Sequence, residues 1–381
     1  VLTGQFGAFY FASLYLQGVL DDSPVETGLA SVPFALGVIV DTIVAGRLMT
    51  RTGPRPLLVS GLVLRRVRKL HVPKIPRRNV SHMSASTRFA GRLPRGNAGP
   101  VPGGSGWLPA MVDDSLADFT ATEFTHDGKT RAVYRAGTGP AVIVMAEAPG
   151  ITPKVAGFAR RVAEIGCTAV MPHLFGVPGK DPVAGGRLGF LRYTAASMLP
   201  VCVSREFTAL ATGRTSPVVS WLRALAADEH ARCGGPGVGA VGMCFTGGFA
   251  LAMATHPSLI ASVLSQPSLP LPLTRGRKNT IDCSAADLEV VRQRCAAEDL
   301  EVLGLRFRGD TIVSPQRFQF LREQLGDAFV AVELDDGSAN PAALTPPHSV
   351  LTEHLVDEPG QPTRAALDQV LDLFRKRLLP A

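Results

Sequence analysis

From residue 118 to the end of the chain, short apolar runs alternate with stretches whose apolar positions recur at helical spacing. AVIVMAE (141–147), CTAVMP (167–172), the run at 238–243, ASVLSQ, EVLGLRF and AFVAVEL are mostly apolar segments of six or seven residues, the pattern of strands buried on both faces. Between them, helices are predicted at 153–165, 206–227, from 246, at 284–297, 315–325 and 363–378. Ahead of them, TATEFTHDGKTRAVYRAG alternates on either side of Asp127-Gly128 and predicts a β-hairpin. This alternation predicts one doubly wound, mostly parallel α/β sheet with helices on both faces.

The front of the chain has a different texture. Residues 1–20 carry no charge and are long enough for one transmembrane helix. A signal peptide is the weaker reading, because the chain begins at Val1 without a basic n-region or a small-residue cleavage site. After the acidic loop DDSPVET, a second apolar run is broken only by Asp41, and a third, LLVSGLVL, gives out at residue 64. Residues 65–110 open with RRVRKLHVPKIPRR and continue through a Ser, Gly and Pro-rich stretch without apolar period, which predicts a disordered linker. The expected organisation is thus 1–64 transmembrane-like, 65–110 linker and 111–381 an α/β domain.

Charge follows the same division. Residues 1–110 hold 13 Lys/Arg against 4 Asp/Glu, whereas residues 111–381 hold 26 against 28. The overall +7 therefore belongs to the front end, and the α/β part has no basic face of the kind that binds nucleic acid. The basic run beside the apolar segments makes membrane contact through residues 1–64 an alternative to a freely soluble protein. Six cysteines are scattered without a C-x-x-C pair or zinc-spaced histidines. That excludes a disulfide framework or structural metal as the expected reading and fits a reducing, cytoplasmic setting. Gly237, Gly239 and Gly242 satisfy G-x-G-x-x-G, but they fall before and within a strand instead of between strand and helix, so no dinucleotide cofactor is expected.

The chemistry concentrates after the strand 238–243. Gly242-Met-Cys244-Phe-Thr-Gly-Gly248 runs from strand into helix, and such a turn lifts one side chain above the carboxyl edge of a sheet. It reads as a nucleophile elbow with sulfur in place of oxygen. A cysteine nucleophile needs a base, and the base an orienting acid. Asp310 follows the strand EVLGLRF, and His348 lies in the loop TPPHSV after AFVAVEL. Asp335 or Asp336 as acid and His354 as base are the rivals; His354 reads as a surface histidine. The order Cys, Asp, His is that of α/β-hydrolases.

These motifs carry a resemblance. With VIVMAEAPGI, CTAVMPHLFG, GAVGMCFTGG, FRGDTIVSP and PHS, residues 118–378 are similar to the dienelactone hydrolase family, a branch of the α/β-hydrolases. The resemblance implies hydrolysis of a small-molecule ester or lactone through an acyl-enzyme on Cys244, with Glu147 beside the nucleophile. The backbone N–H groups of Phe245 and Ala148 would bind the oxyanion. Thr246 stands where a simpler elbow has glycine, so its side chain is expected in the acyl pocket. Arg205 and Arg308 are the candidates for binding a substrate carboxylate, and the segment 265–279 is expected to shape the cleft mouth. Residues 1–64, with YLQGVLDDSPVETGLASVPFALG and the basic turn from Gly46, resemble drug exporters of the major facilitator superfamily. Two further readings stand beside the soluble hydrolase: the same hydrolase tethered to a membrane, and a catalytically silent binding module on the same fold.

Overall fold

The computed structural model describes residues 113–204, 206–207, 213–272 and 275–380. The transmembrane-like segment and the linker lie outside these residues. Among the described residues, no helix is long and apolar enough to cross a membrane. A compact unit spans Pro102–Ala381.

Eight strands form one sheet. They are β1 (Thr120–His126), β2 (Lys129–Ala136), β3 (Ala141–Met145), β4 (Thr168–Pro172), β5 (Val238–Met243), β6 (Leu259–Ser265), β7 (Glu301–Phe307) and β8 (Phe329–Leu334). Their order across the sheet is β1-β2-β4-β3-β5-β6-β7-β8. The expected hairpin forms β1 and β2, with Asp127 (φ 49°) and Gly128 (φ 70°) at its turn. β2 also pairs antiparallel with β4, and β4 through β8 are parallel. All residues of β3, β4 and β5 are buried, as expected of strands covered on both faces.

The helices longer than four residues are α1 (Pro153–Glu164), α2 (Gly186–Val203), α3 (Val218–Cys233), α4 (Gly247–Met253), α5 (Ala285–Glu298), α6 (Pro315–Leu325) and α7 (Pro362–Leu378). On one face of the sheet α3 to α6 bury Trp221, Phe249, Val291 and Phe318; on the other, α1 and α7 bury Phe158 and Phe374. Local chemistry sets the starts of three helices. Thr152, Ser284 and Ser314 cap α1, α5 and α6 by accepting an N–H from the first turn, and proline opens α1, α6 and α7.

Two expectations shift. The helix expected over 206–227 begins at Val218, and α2 stands ahead of it, where no helix was expected. GRLGFLRYTAASMLPVCV opens on glycine, holds Pro200 and has no apolar stripe at helical spacing, so nothing local announces α2.

The topology fixes where a site can form. From β3 the chain crosses to β4 on one side, and from β5 it crosses to β6 on the other. The loops leaving the carboxyl ends of β3 and β5 therefore diverge and open a crevice between them. Glu147 and Ala148 follow β3 at this crevice, and Cys244 follows β5.

Candidate active site

Cys244 has φ +50°, a left-handed conformation that a non-glycine residue adopts only where its surroundings hold it. Those surroundings are specific. A Cβ on Gly242 would lie 2.1 Å from Thr246 O, and one on Gly247 would lie 2.5 Å from Pro267 Cα, so the elbow closes only with glycine at both places. The Ser268 N–H donates to Cys244 O at 2.9 Å, and the Cys244 thiol faces the buried Ser268 hydroxyl at 3.5 Å.

Thr246 does not reach an acyl pocket. It is wholly buried; its hydroxyl accepts the Met243 N–H at 2.9 Å and lies 3.0 and 3.2 Å from the carbonyls of Met145 and Ala146. The side chain thus pins the elbow to the end of β3. It is a structural clasp, and the longer elbow, with glycine one residue later, makes room for it.

The structure brings together the residues expected as orienting acid and base. His348 Nδ1 and Asp310 Oδ2 are 2.6 Å apart, and Asp310 Oδ1 accepts the N–H groups of Ile312 (2.8 Å) and Val313 (3.2 Å). Burial would raise the Asp310 pKa, but His348 and these N–H groups outweigh it and hold the carboxyl below its ordinary value. Burial likewise opposes charge on His348, yet the sulfur of Cys244 and the Asp310 carboxylate hold the imidazole well above its ordinary 6.5. Among the described residues, His348 Nε2 is a buried atom without a hydrogen-bond partner. An imidazole oriented through Nδ1 and open at Nε2, beside a thiol, is equipped to take the thiol's proton.

The rival residues have other work. Asp335 pairs with Arg308 at 3.2 Å on the exposed surface, and Asp336 accepts the Gly309 N–H at 2.8 Å, shaping the acid loop from outside. Arg308 is accordingly a surface residue of an ion pair, not a group held in the crevice. Arg205 lies outside the described residues; the adjacent Glu206 pairs with Arg131. His354 is not at the surface: it is 1% exposed. Its Nδ1 accepts the Ser349 N–H at 3.1 Å, with the His348 N–H at 3.4 Å. Its Nε2 donates to Thr345 O at 2.9 Å. Burial lowers its pKa, in keeping with a neutral ring that braces the loop carrying His348.

Glu147 is 6% exposed but does not bond the nucleophile. Its carboxylate accepts from Ser349 Oγ (2.6 Å), from Gln266 Nε2 (3.2 Å) and from the Thr352 hydroxyl. Among the described residues, none of its hydrogen bonds runs to Cys244. Of the segment after β6, residues 265–270 are buried and pass directly behind the elbow instead of lining a cleft mouth. Arg317, fully buried on α6, ties them down by donating to the carbonyls of Pro267 (2.6 Å), Pro270 (2.5 Å) and Thr280 (2.8 Å). With burial dominant, its pKa falls to about 10. Gln266, Ser268, Arg317, Ser349 and Thr352 were not singled out from the sequence. Ser349 stood inside the PHS motif, and Gln266 and Ser268 inside the segment 265–279, but none was read as a site residue.

Comparison with known proteins finds different relatives for different segments of the chain. The family model "Dienelactone hydrolase family" matches residues 129–300, a stretch that includes Glu147 and Cys244 and ends before Asp310. A dienelactone hydrolase-like promiscuous phosphotriesterase from metagenomic libraries is similar in structure at TM-score 0.41 and 17% identity, over 68% of this chain and 98% of that one. The N-terminal segment is similar to drug-resistance transporters. The puromycin resistance protein of Streptomyces alboniger is 51% identical over 61 residues, 16% of this chain and 12% of that protein. A multidrug resistance protein B homolog of Mycobacterium tuberculosis is 38% identical over 61 residues, 16% of this chain and 11% of that protein. The chain therefore spans about an eighth or less of the length of these transporter relatives. By this match, residues 129–300 of the chain are similar to the dienelactone hydrolase family.

Proposed function

We propose that residues 111–381 form a cysteine hydrolase that cleaves an ester or lactone through a Cys244-His348-Asp310 triad. The observation that carries this reading is a cysteine in left-handed conformation at the carboxyl edge of β5, beside a partly buried histidine oriented by Asp310, whose Nε2 has no hydrogen-bond partner among the described residues. His348 Nε2 takes the Cys244 proton, and the thiolate attacks the carbonyl carbon. The first turn of a helix leaves its N–H groups without intrahelical acceptors, so Phe245 N–H, with Ala148 N–H from the β3 loop, receives the oxyanion. Collapse breaks the carbon–oxygen bond, and the leaving alkoxide takes the proton from His348; in a lactone it stays tethered to the acyl group. Water, deprotonated by His348, then attacks the thioester and releases the carboxylic acid, restoring the thiol.

In this reading Glu147 is a positioning residue. Its bonds join the end of β3 to Ser349 and Thr352, on the loop that carries the base. The cytoplasmic setting rests on the cysteine usage. A second reading, the same hydrolase held at a membrane through residues 1–64, is favoured by the similarity of that segment to drug transporters. The two differ in whether the full chain sediments with membranes.

The test is Cys244→Ala. It should remove ester hydrolysis by several powers of ten while thermal unfolding stays cooperative. Mass spectrometry after brief exposure to an activated ester should find the acyl group on Cys244 alone. A variant keeping more than about a tenth of the wild-type kcat would end the assignment.

A further inference from the structure

Resting on that hydrolase reading, we propose that the enzyme takes an uncharged substrate whose apolar arm lies in a groove between α2 and the loop after β4. The groove has a volume of about 490 Å³, within the range of small-molecule sites. Leu174, Phe175 and Val177 form one wall, and Tyr193 and Val201 of α2 the other, with Phe207 at the inner end. No Asp, Glu, Lys, Arg or His lines it among the described residues. Val177 is 55% exposed at its rim, and the Val177 N–H donates to the Tyr193 hydroxyl at 2.8 Å, joining the two walls.

Contact with the nucleophile runs through aromatic rings. Phe175 and Phe207 lie 5.6 and 5.8 Å, centroid to centroid, from Phe245. Phe245 directly follows Cys244, which packs against the same apolar cluster. An acyl or alkyl chain leaving a carbonyl at Cys244 therefore meets hydrocarbon on this side. The neighbouring cavity is different in kind: Glu147, Lys154, Asp181 and Glu353 stand in its walls. A hydrocarbon chain placed there would cover charged groups at a cost, whereas in the groove it displaces water from apolar surface. The one described arginine considered for a substrate carboxylate, Arg308, is paired with Asp335 at the surface.

The test uses the full 381-residue chain and two ester series. One fixes a p-nitrophenyl alcohol and lengthens the acyl group from acetate to hexanoate; the other fixes acetate and lengthens the alkyl alcohol. A hexanoate analogue ending in a carboxylate completes the first. In one series kcat/KM should rise about two- to fourfold per added methylene, and the carboxylate-tailed ester should be slower than its uncharged counterpart. Ala196→Trp, an exposed position of α2 that lines the groove, should flatten the gradient while thermal unfolding stays cooperative. Gradients that are flat in both series, a gradient untouched by Ala196→Trp, or faster cleavage of the carboxylate-tailed ester overturns the groove assignment alone. Failure to cleave any ester overturns the hydrolase reading with it.

Discussion

Two buried carboxylates stand at the carboxyl edge of the sheet, Asp310 after β7 and Glu147 after β3, and their donors differ in kind. Asp310 accepts from two backbone N–H groups on one oxygen and faces an imidazole on the other. Glu147 accepts from two hydroxyls and a side-chain amide. An imidazole exchanges a proton near neutral pH, whereas hydroxyls and amides hold theirs. In the proposed mechanism similar burial thus serves two purposes: one carboxylate steers a group that moves protons, and the other ties together the segments that carry it.

The largest effect expected from breaking this comparison belongs to Asp310→Asn. The amide can still accept the Ile312 and Val313 N–H groups, so the loop should hold. Its NH₂ then faces His348 Nδ1, which must accept, and the ring proton moves to Nε2, where the thiol's proton is needed. In a serine triad the same exchange costs about 10⁴ in kcat, and a loss of that order is expected here with little change in Tm. A loss below about tenfold would place the orienting acid elsewhere.

Glu147→Gln should give the opposite balance. The amide puts an NH₂ against one of the hydroxyl donors and leaves a buried group without a partner, at a cost of about 1–3 kcal/mol. For a domain of this size Tm should fall by roughly 3–10 °C, and kcat/KM by less than tenfold. Iodoacetamide should alkylate Cys244 at the wild-type rate, because the carboxylate does not bond the sulfur. Faster alkylation in the variant would show that Glu147 acts on the thiol directly, as the family resemblance alone implied.

The contrast also marks what could be seen in the chain. Strands β3 to β8 were legible because each is a short apolar run bounded by turn residues. Asp310 and His348 were legible because residues that follow strands collect at one edge of a parallel sheet, in a fixed order along the chain. The partners of Glu147 were not: Ser349 and Thr352 lie 202 and 205 residues away, and no local pattern records such a meeting. Arg317 sits on a helix whose sequence reads as an ordinary amphipathic surface element, and only the tertiary path of residues 265–280 supplies the carbonyls that make its burial tolerable. Thr246 was misread because a residue beside a nucleophile suggests contact with substrate, when the tight turn directs its side chain back into the protein.

The smallest effect expected is on stability as a function of pH, and it separates the two carboxylates without reference to activity. His348 has a native pKa above its ordinary 6.5. Its contribution to stability is therefore fully present below about 6.5 and is lost as pH rises through the native value. Asp310 is shifted down from 3.8, so its contribution is present above that value and is lost as pH falls through the native one. Between those limits the pair stabilises the fold most. Urea unfolding at pH 5.5, 7 and 9 should then show the advantage of the wild type over His348→Gln shrinking as pH rises. The same comparison made in a Glu147→Gln background should give the same advantage at each pH, with both stabilities lowered alike, because among the described residues no hydrogen bond of Glu147 reaches His348. An advantage that changes in size or in pH dependence in that background would mean that the two carboxylates share one proton network, and the division drawn between them would fail.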